Sequence, residues 1–355
     1  MTKNLELFLI GPETPISQAI EKIDRNSKGI ALVTDPERHL IGTITDGDIR
    51  RIILAGIALD NPVSLILERK SNRTPLSAPQ GTSAGELLKI MQQHIIHQLP
   101  LLDEQQRVVD LVTLNELMPE QVLPIQAVVM AGGFGKRLYP LTDETPKPML
   151  PVGDRPLMEH IIDQLRDAGI EKVNVTTHFM PEKIKKHFGN GRGFGVNIEY
   201  VSEDRPLGTA GALGLMEKPD QPMLVINGDI LTRVDFRSML DFHREHQADL
   251  TVAVRRYDLQ IPYGVIETEG VQITQVREKP LYTFFVNAGI YLLEPNVHQF
   301  IPNNERFDMT DLIDRLIAEG RTVISFPIRE YWLDIGQPDD YKQAQEDLQN
   351  GRVHN

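Results

Sequence analysis

The chain has 355 residues, 41% hydrophobic and 25% charged, with a net charge of −13 and no cysteine. That composition is ordinary for a globular protein of two or three domains, and it excludes a disulfide framework, a thiolate metal centre and a cysteine nucleophile. Neither the first 120 residues nor the remainder has a basic excess, which argues against nucleic acid or an anionic membrane as the main partner.

No run approaches the roughly 20 apolar residues of a membrane helix. The first residues lack the basic and long apolar segments of a signal peptide, so a cytoplasmic protein is expected. Pro119-Glu-Gln-Val-Leu-Pro124 interrupts the apolar pattern and divides the chain into 1–120 and 125–350.

The first part reads as two copies of one unit, about 8–58 and 72–119. In the first copy, Thr14-Pro15 predicts an N-cap followed by Pro at N1. Ile16, Ala19, Ile20 and Ile23 then share a helical face. Strands follow at Gly29–Thr34 and Leu40–Thr45, then a helix over Asp46–Ala55. In the second copy, Ser83-Ala-Gly-Glu86 is a capping box. A helix carrying Leu87, Leu88, Ile90 and Met91 follows, then strands Gln98–Leu102 and Val108–Thr113 and a helix over Leu114–Met118. The offset from Thr45 to Thr113 is 68 residues, and such a repeat predicts two units packed around a shared core.

Gly42-Thr-Ile-Thr-Asp-Gly-Asp48 resembles the G-x-x-T-x-x-D ending of a CBS-domain pair. The resemblance implies that Thr45 and Asp48 meet the ribose of an adenine nucleotide, AMP, ADP or ATP, with a regulatory role. The second copy keeps Thr113 but has Glu116 in place of Asp, so it implies one ligand site rather than two. It also implies a homo-oligomer, since such pairs associate. The alternative is a purely architectural pair.

The second part alternates strands and helices. Strands are predicted at Ile125–Met130, Val173–Thr177, Met223–Asn227 and Leu250–Val254. An amphipathic helix carries Leu157, Ile161, Ile162 and Leu165 and stops before Gly169. This order predicts an α/β fold with a mostly parallel sheet, and ligands beyond the carboxyl ends of its strands.

The first of these strands leads into Ala131-Gly-Gly-Phe-Gly-Lys-Arg-Leu-Tyr-Pro-Leu-Thr142. Glycines there let backbone N–H groups approach a phosphate chain, and Arg137 can grip its oxygens. The loop is neither a P-loop nor a dinucleotide fingerprint: no Ser or Thr follows Lys136, and a third Gly is missing. Thr145-Pro-Lys-Pro-Met-Leu-Pro-Val152 then sets Lys147 between two prolines that restrict its backbone. An immobilised ammonium suits charge developing on phosphate.

Together these segments resemble the sugar nucleotidylyltransferase family, over Ile125 to about Tyr341. The family has a Rossmann-like α/β domain with a mixed sheet. The resemblance implies a triphosphate loop of Gly132, Gly133, Gly135 and Arg137, and Lys147 as the catalytic lysine. Asn227-Gly-Asp229 and Trp332-Leu-Asp-Ile-Gly-Gln-Pro-Asp-Asp-Tyr341 match its two metal segments, implying Mg²⁺ on Asp229 and Asp334; Gln337 replaces the usual Thr. Pro262-Tyr-Gly-Val265, Glu278-Lys-Pro280 and Asn287-Ala-Gly-Ile-Tyr291 match sugar-side segments. They imply sugar-phosphate contacts at Gly264, Glu278, Lys279 and Asn287.

Glu203-Asp-Arg-Pro-Leu-Gly-Thr-Ala-Gly-Ala212 resembles the base-reading loop, with Gly208 admitting the nucleoside. A carboxylate at Glu203 only accepts hydrogen bonds. Guanine offers N1–H and an amine side by side, which favours GTP over UTP, dTTP or CTP. The expected reaction transfers GMP from GTP to a sugar-1-phosphate and releases pyrophosphate. The arrangement resembles bacterial guanylyltransferases that activate an amino-sugar phosphate for surface glycans, with glucosamine-1-phosphate as the candidate. Uridylyl-, thymidylyl- or cytidylyl transfer is the nearest alternative. A non-catalytic nucleotide-sensing subunit is a further one, which the retained Arg137, Lys147, Asp229, Lys279 and Asp334 oppose.

Overall fold

The computed structural model describes residues 5–26, 28–70, 74–94, 96–117 and 122–353. The chain separates into two compact units, 1–121 and 122–355. Within the interrupting segment, Pro119, Glu120 and Gln121 lie outside the described residues, as does Met118.

In the first unit, each copy builds a three-stranded sheet of the same topology. Leu9–Ile10 runs parallel to Ile30–Thr34, which pairs antiparallel with Leu40–Thr45. Ala78–Pro79, Gln98–Leu102 and Val108–Thr113 repeat this order. Ile30 faces Thr45 and Gln98 faces Thr113, and both ladders shift register at one matching place, Val33/Thr34 and Leu101/Leu102. The copies share a core of Phe8, Ile30, Leu32, Leu102, Val108 and Leu111. The first helix begins at Ile16 rather than Pro15. The Pro15 carbonyl accepts the Ala19 N–H at 3.1 Å, so proline occupies the cap itself and Thr14 lies one residue outside it. Ser83 and Glu86 do form the expected reciprocal cap.

The second unit is a mixed α/β fold around a seven-stranded sheet. Its strands are β1 (Gln126–Met130), β2 (Lys172–Thr177), β3 (Asn197–Ser202), β4 (Met223–Asn227), β6 (Leu250–Gln260), β9 (Leu281–Leu293) and β10 (Val323–Ile328). The order is β3-β2-β1-β4-β9-β6-β10. Only β9 runs against its neighbours. Three small antiparallel pairs accompany the sheet: Pro151–Val152 with Arg155–Pro156, β5 (Ile230–Thr232) with β11 (Trp332–Asp334), and β7 (Val265–Glu269) with β8 (Gln272–Arg277).

The central strands are apolar on both faces because both are covered. One face packs Val128, Val225, Val252 and Leu293 against Leu312 and Leu316 of helix α3 (Met309–Ala318). Helices α1 (Leu157–Asp167) and α2 (Phe236–Glu245) supply the buried Ile161, Leu165, Met239 and Leu240. Among the described residues no helix is long and apolar enough to cross a membrane. β6 runs six residues past the expected end at Val254, because its outer half pairs with β9 rather than with the sheet core.

Candidate active site

Parallel neighbours β1 and β4 end side by side, so their loops leave the same edge of the sheet. The Gly228 N–H donates to the Met130 carbonyl at 2.9 Å. A Cβ on Gly228 would lie 2.7 Å from that oxygen, so only glycine allows the two loops to meet. Asp229 follows directly. β5 then pairs with β11, setting Ile230 opposite Asp334, and the Ile335 N–H donates to the Asp229 carbonyl at 3.0 Å. Two aspartates far apart in the chain thereby share one corner.

Lys147 joins them. Its Nζ lies 2.5 Å from Asp229 Oδ2, and the residue is only 8% exposed. The other Asp229 oxygen, one Asp334 oxygen and the Asn227 side-chain oxygen are buried without a hydrogen-bond partner. Buried polar atoms are normally satisfied, and leaving a carboxylate oxygen unpaired is costly. The pair therefore fits a hard divalent cation, which takes oxygen ligands. Burial raises the Asp334 pKa and the charge of Asp229 raises it further, against the opposing Lys147 and Arg137. Arg137 stands at the same corner. A Cβ on Gly336 would lie 3.5 Å from its Nη1 and 3.6 Å from carboxylate oxygens of Asp334 and Asp340.

The glycine loop is folded down onto Lys147. Gly135 has φ +65, and a Cβ there would come 2.8 Å from Thr142 Cγ2 and 3.1 Å from Lys147 Cβ. The Thr142 hydroxyl donates to the Gly135 carbonyl at 2.9 Å. Gly133 faces open space.

Glu203 lies just beyond β3. Its N–H donates to the Thr177 carbonyl at 2.9 Å, and its Oε2 accepts the Leu207 N–H at 3.0 Å. A Cβ on Gly132 would sit 2.5 Å from its Oε1. The structure thus brings the glycine loop against the residue expected to read the base. Burial raises the Glu203 pKa, which the Leu207 hydrogen bond and His178 oppose. Gly208 also packs closely within the chain, a notional Cβ there lying 2.7 Å from the Phe307 carbonyl and 2.5 Å from the Asp308 carboxylate. With φ +83, it is glycine for packing and turn geometry.

The expected sugar-side residues Gly264, Glu278, Lys279 and Asn287 are all exposed. Gly264 precedes β7, and a Cβ there would lie 3.0 Å from Glu278 Oε2. Lys279 follows with φ +43. Asn287 is an exposed residue of β9 whose Oδ1 accepts the Gly289 N–H at 3.0 Å. Gly289 in turn abuts the Asn227 amide, 2.6 Å from a notional Cβ. Asn287 is thereby connected to the aspartate corner.

In the first unit, Thr45 and Asp48 do come together, as the reciprocal cap of helix Asp46–Leu54. Asp48 is 4% exposed, with Lys70 Nζ at 2.6 Å, Arg51 at 2.8 Å and the Thr45 N–H at 2.8 Å. Burial acts to raise its pKa, but Lys70 first, then Thr45 and Arg51, outweigh that and hold it below the ordinary carboxylate value.

Four contributors escaped the sequence reading. Asn227 and Asp340 lie inside motifs that were read only for their aspartates at 229 and 334. Asp340 caps its helix by accepting the Gln337 N–H at 2.7 Å, and Q-x-x-D ahead of a helix carried that signal. Thr142 carried none. Nor did His178, whose Nδ1 lies 2.8 Å from the Glu203 carbonyl and whose ring meets Phe134 edge-on.

Residues 126–351 match the family model described as nucleotidyl transferase, and residues 1–55 and 71–122 match that of the CBS domain. A mannose-1-phosphate guanylyltransferase of Mycobacterium tuberculosis is 35% identical over 235 residues, covering 64% of this chain and 65% of that relative's length. A D-glycero-alpha-D-manno-heptose 1-phosphate guanylyltransferase of Aneurinibacillus thermoaerophilus is 33% identical, covering 64% of this chain and 99% of the relative. The crystal structure of a Bacillus anthracis protein, described as a glucose-1-phosphate thymidylyltransferase, superposes with a TM-score of 0.51 at 27% identity. That match covers 62% of this chain and 94% of the other.

Proposed function

The chain belongs to the nucleotidyl transferase family, with CBS repeats at its N-terminal side, and on that premise we propose that its second unit transfers GMP from GTP to a sugar-1-phosphate. The observation that carries this reading is the corner of Lys147, Asp229 and Asp334 at the carboxyl edge of β1 and β4, with unpaired carboxylate oxygens. The guanylyltransferase names of the two sequence relatives support the donor, and so does Glu203, held by Leu207 against the phosphate loop.

In this reaction an oxygen of the sugar phosphate attacks the α-phosphorus of GTP, the α–β phosphoanhydride bond breaks, and pyrophosphate leaves. The nucleophile is already anionic, so no covalent enzyme intermediate is needed. Asp229 and Asp334 would hold Mg²⁺, which supplies charge neutralisation when bound. Lys147, confined between its prolines, stabilises charge on the α-phosphate and the departing group. Arg137 holds phosphate oxygens. Glu203 Oε1 accepts from guanine, while Gly264, Glu278, Lys279 and Asn287 orient the sugar phosphate.

Glucosamine-1-phosphate is the proposed acceptor. A pyrophosphate-release assay crossing five NTPs against glucosamine-, mannose- and heptose-1-phosphates tests donor and acceptor together. Product with mannose- or heptose-1-phosphate alone would end the amino-sugar reading, and a donor other than GTP would end the role given to Glu203. At the CBS repeats an adenine nucleotide on Thr45 and Asp48 is the proposed regulator. It requires the Asp48–Lys70 pair to open. Calorimetry of the full chain with AMP, ADP and ATP tests this, and absence of heat would leave the repeats architectural. The enzyme is proposed to work in the cytoplasm, in surface-glycan synthesis.

A further inference from the structure

Glu203 is fixed at three places. Its N–H donates to the Thr177 carbonyl at 2.9 Å, its carbonyl lies 2.8 Å from His178 Nδ1, and its Oε2 accepts the Leu207 N–H at 3.0 Å. The first two hold the main chain. Among the described residues Leu207 is the one hydrogen-bond donor to the carboxylate, so the place of Leu207 sets the direction of Oε1.

Leu207 belongs to a segment with little grip of its own. Asp204, Arg205 and Pro206 are exposed, and Leu207 stands at the cap of a single helical turn, Gly208–Gly211, with no side-chain hydrogen bond to offer it. The N–H groups that open a helix need acceptors from elsewhere. They come from a strap 99 residues further along: Asp308 Oδ1 accepts the Thr209 N–H at 2.9 Å, and the Phe307 carbonyl accepts those of Ala210 and Gly211 at 2.9 and 2.8 Å. The Phe307 N–H donates to the Leu207 carbonyl itself at 2.8 Å. The exchange is mutual. Asp308 is also the N-cap residue of α3, and the first N–H of that helix, on Met309, donates to Thr209 Oγ1 at 2.8 Å. Each turn thus supplies a cap to the other.

The strap can fix the loop because it is itself anchored. Phe307 is buried in the same core as Ala210, Leu213 and Leu312, with the Arg315 guanidinium 5.0 Å from its ring centre. A Cβ on Gly211 would lie 2.5 Å from the Glu305 carbonyl, so loop and strap are in contact and cannot shift independently.

We propose that Asp308 is a positioning residue for donor selection. Through Thr209 and Leu207 it holds the Glu203 carboxylate against the glycine loop, where Oε1 lies 2.5 Å from a notional Cβ on Gly132. The inference rests on the reading of Glu203 as the base reader. The role needs an acceptor oxygen at Oδ1 rather than a charge, and an amide supplies one.

Pyrophosphate release by the full chain tests this, read as separate KM values for GTP and the sugar-1-phosphate and as the ratio of kcat/KM for GTP to that for dTTP. Asp308→Ala should raise KM for GTP about tenfold and narrow the ratio by about the same factor, at unchanged KM for the sugar phosphate, as misplacement of one contact does. Asp308→Asn should bring both back to within about threefold of the parent, because Asn caps as well as Asp. Thr209→Val, which loses only the hydroxyl, should narrow the ratio by a smaller factor, about threefold. Asp311→Ala separates positioning from stability: Asp311 Oδ2 accepts the Asp308 N–H at 2.9 Å, so its loss loosens the same helix end without touching Thr209, and the ratio should hold. In a Glu203→Gln background Asp308→Ala should narrow the ratio by less than about threefold further, because both changes act through one carboxylate.

A parental ratio in Asp308→Ala, no recovery in Asp308→Asn, an equal shift in Asp311→Ala, or effects that simply multiply in the double variant would overturn the role of Asp308 and leave Glu203 as the base reader. A parental ratio in Glu203→Gln alone would remove the base reader itself, and Asp308 with it.

Discussion

Each unit of this chain sets an aspartate beside a lysine, and the two aspartates are treated in opposite ways. In the first unit Asp48 is surrounded by donors: Lys70, Arg51 and the Thr45 N–H. In the second, Asp229 and Asp334 each keep a buried oxygen with no partner, with Lys147 compensating only Asp229 Oδ2. A satisfied carboxylate stabilises its own fold. One left unsatisfied is a cost that makes sense only where a ligand completes it. The pKa directions agree: Asp48 is held below the ordinary value and Asp334 above it.

The sharpest way to break this comparison is Lys147→Met. Removing the ammonium should lower kcat/KM for pyrophosphate release by about a hundredfold to a thousandfold, the scale of losing one preorganised electrostatic group. The fold should persist, as judged by the fluorescence of Trp332, the sole tryptophan, which reports on the second unit. A loss below about fivefold would remove Lys147 from the mechanism.

Asp48→Asn is next, because it removes a paired, buried charge. A destabilisation of about 2–3 kcal/mol is expected, at the low end for buried pairs because Lys70 and Arg51 still reach water. Hydrogen exchange of the Ile30–Thr45 amides in the full chain would measure it. The sign with pH follows from the depressed pKa. The contribution of Asp48 is present above the ordinary carboxylate value and is lost as pH falls through its own lower value. Parent and variant should therefore converge in acid.

Glu203→Gln tests the base reader at smaller scale. Replacing a pure acceptor with an amide should reduce kcat/KM for GTP about tenfold or more, while UTP or dTTP use holds or rises. Gly132→Ala should act in the same direction, by pushing a methyl group against Glu203 Oε1. An unchanged preference among NTPs in both variants would exclude Glu203 from base selection.

The smallest change in stability is the most specific test. Asp334→Asn should abolish turnover yet raise stability in chelator by about 0.5–2 kcal/mol, as removal of functional strain does. Because the folded pKa of Asp334 is raised, its favourable contribution is present below the ordinary carboxylate value and is lost as pH rises through the raised one. The advantage of the variant should thus grow with pH and disappear in acid, opposite in sense to the Asp48 variant. Thermal melts at several pH values would show this.

Much of this molecule is written in local sequence. The 68-residue repeat, the alternation of strand and helix, and the Ser83–Glu86 cap depend on periodicity and on hydrogen bonds a few residues long, so the sequence alone shows them. Arg137 and Lys147 stand out from local chemistry, a glycine-rich loop and a lysine between prolines, and Asp229 from a carboxylate closing an apolar strand, whereas Asp334 is read from the resemblance to the family's second metal segment.

What tertiary structure decided is which of these groups meet, and on what terms. Local sequence sets both Asp48 and Asp229 after a strand and a glycine, and a T-x-x-D cap marks Asp48, but neither pattern says which distant charges reach them. Lys70 reaches one, whereas the β5–β11 pairing brings Asp334 to the other. Gly208 reads as a nucleoside contact in sequence, and only the structure shows that it also packs against Phe307 and Asp308, nearly a hundred residues away. The outer ribbon shows the same limit: alternation makes it a good strand pair, but only the structure shows that β4 and β10 stop short of its outer half. Pairing across long separations is set by the packing of whole elements, and it decides whether a charge is satisfied, left open or left exposed.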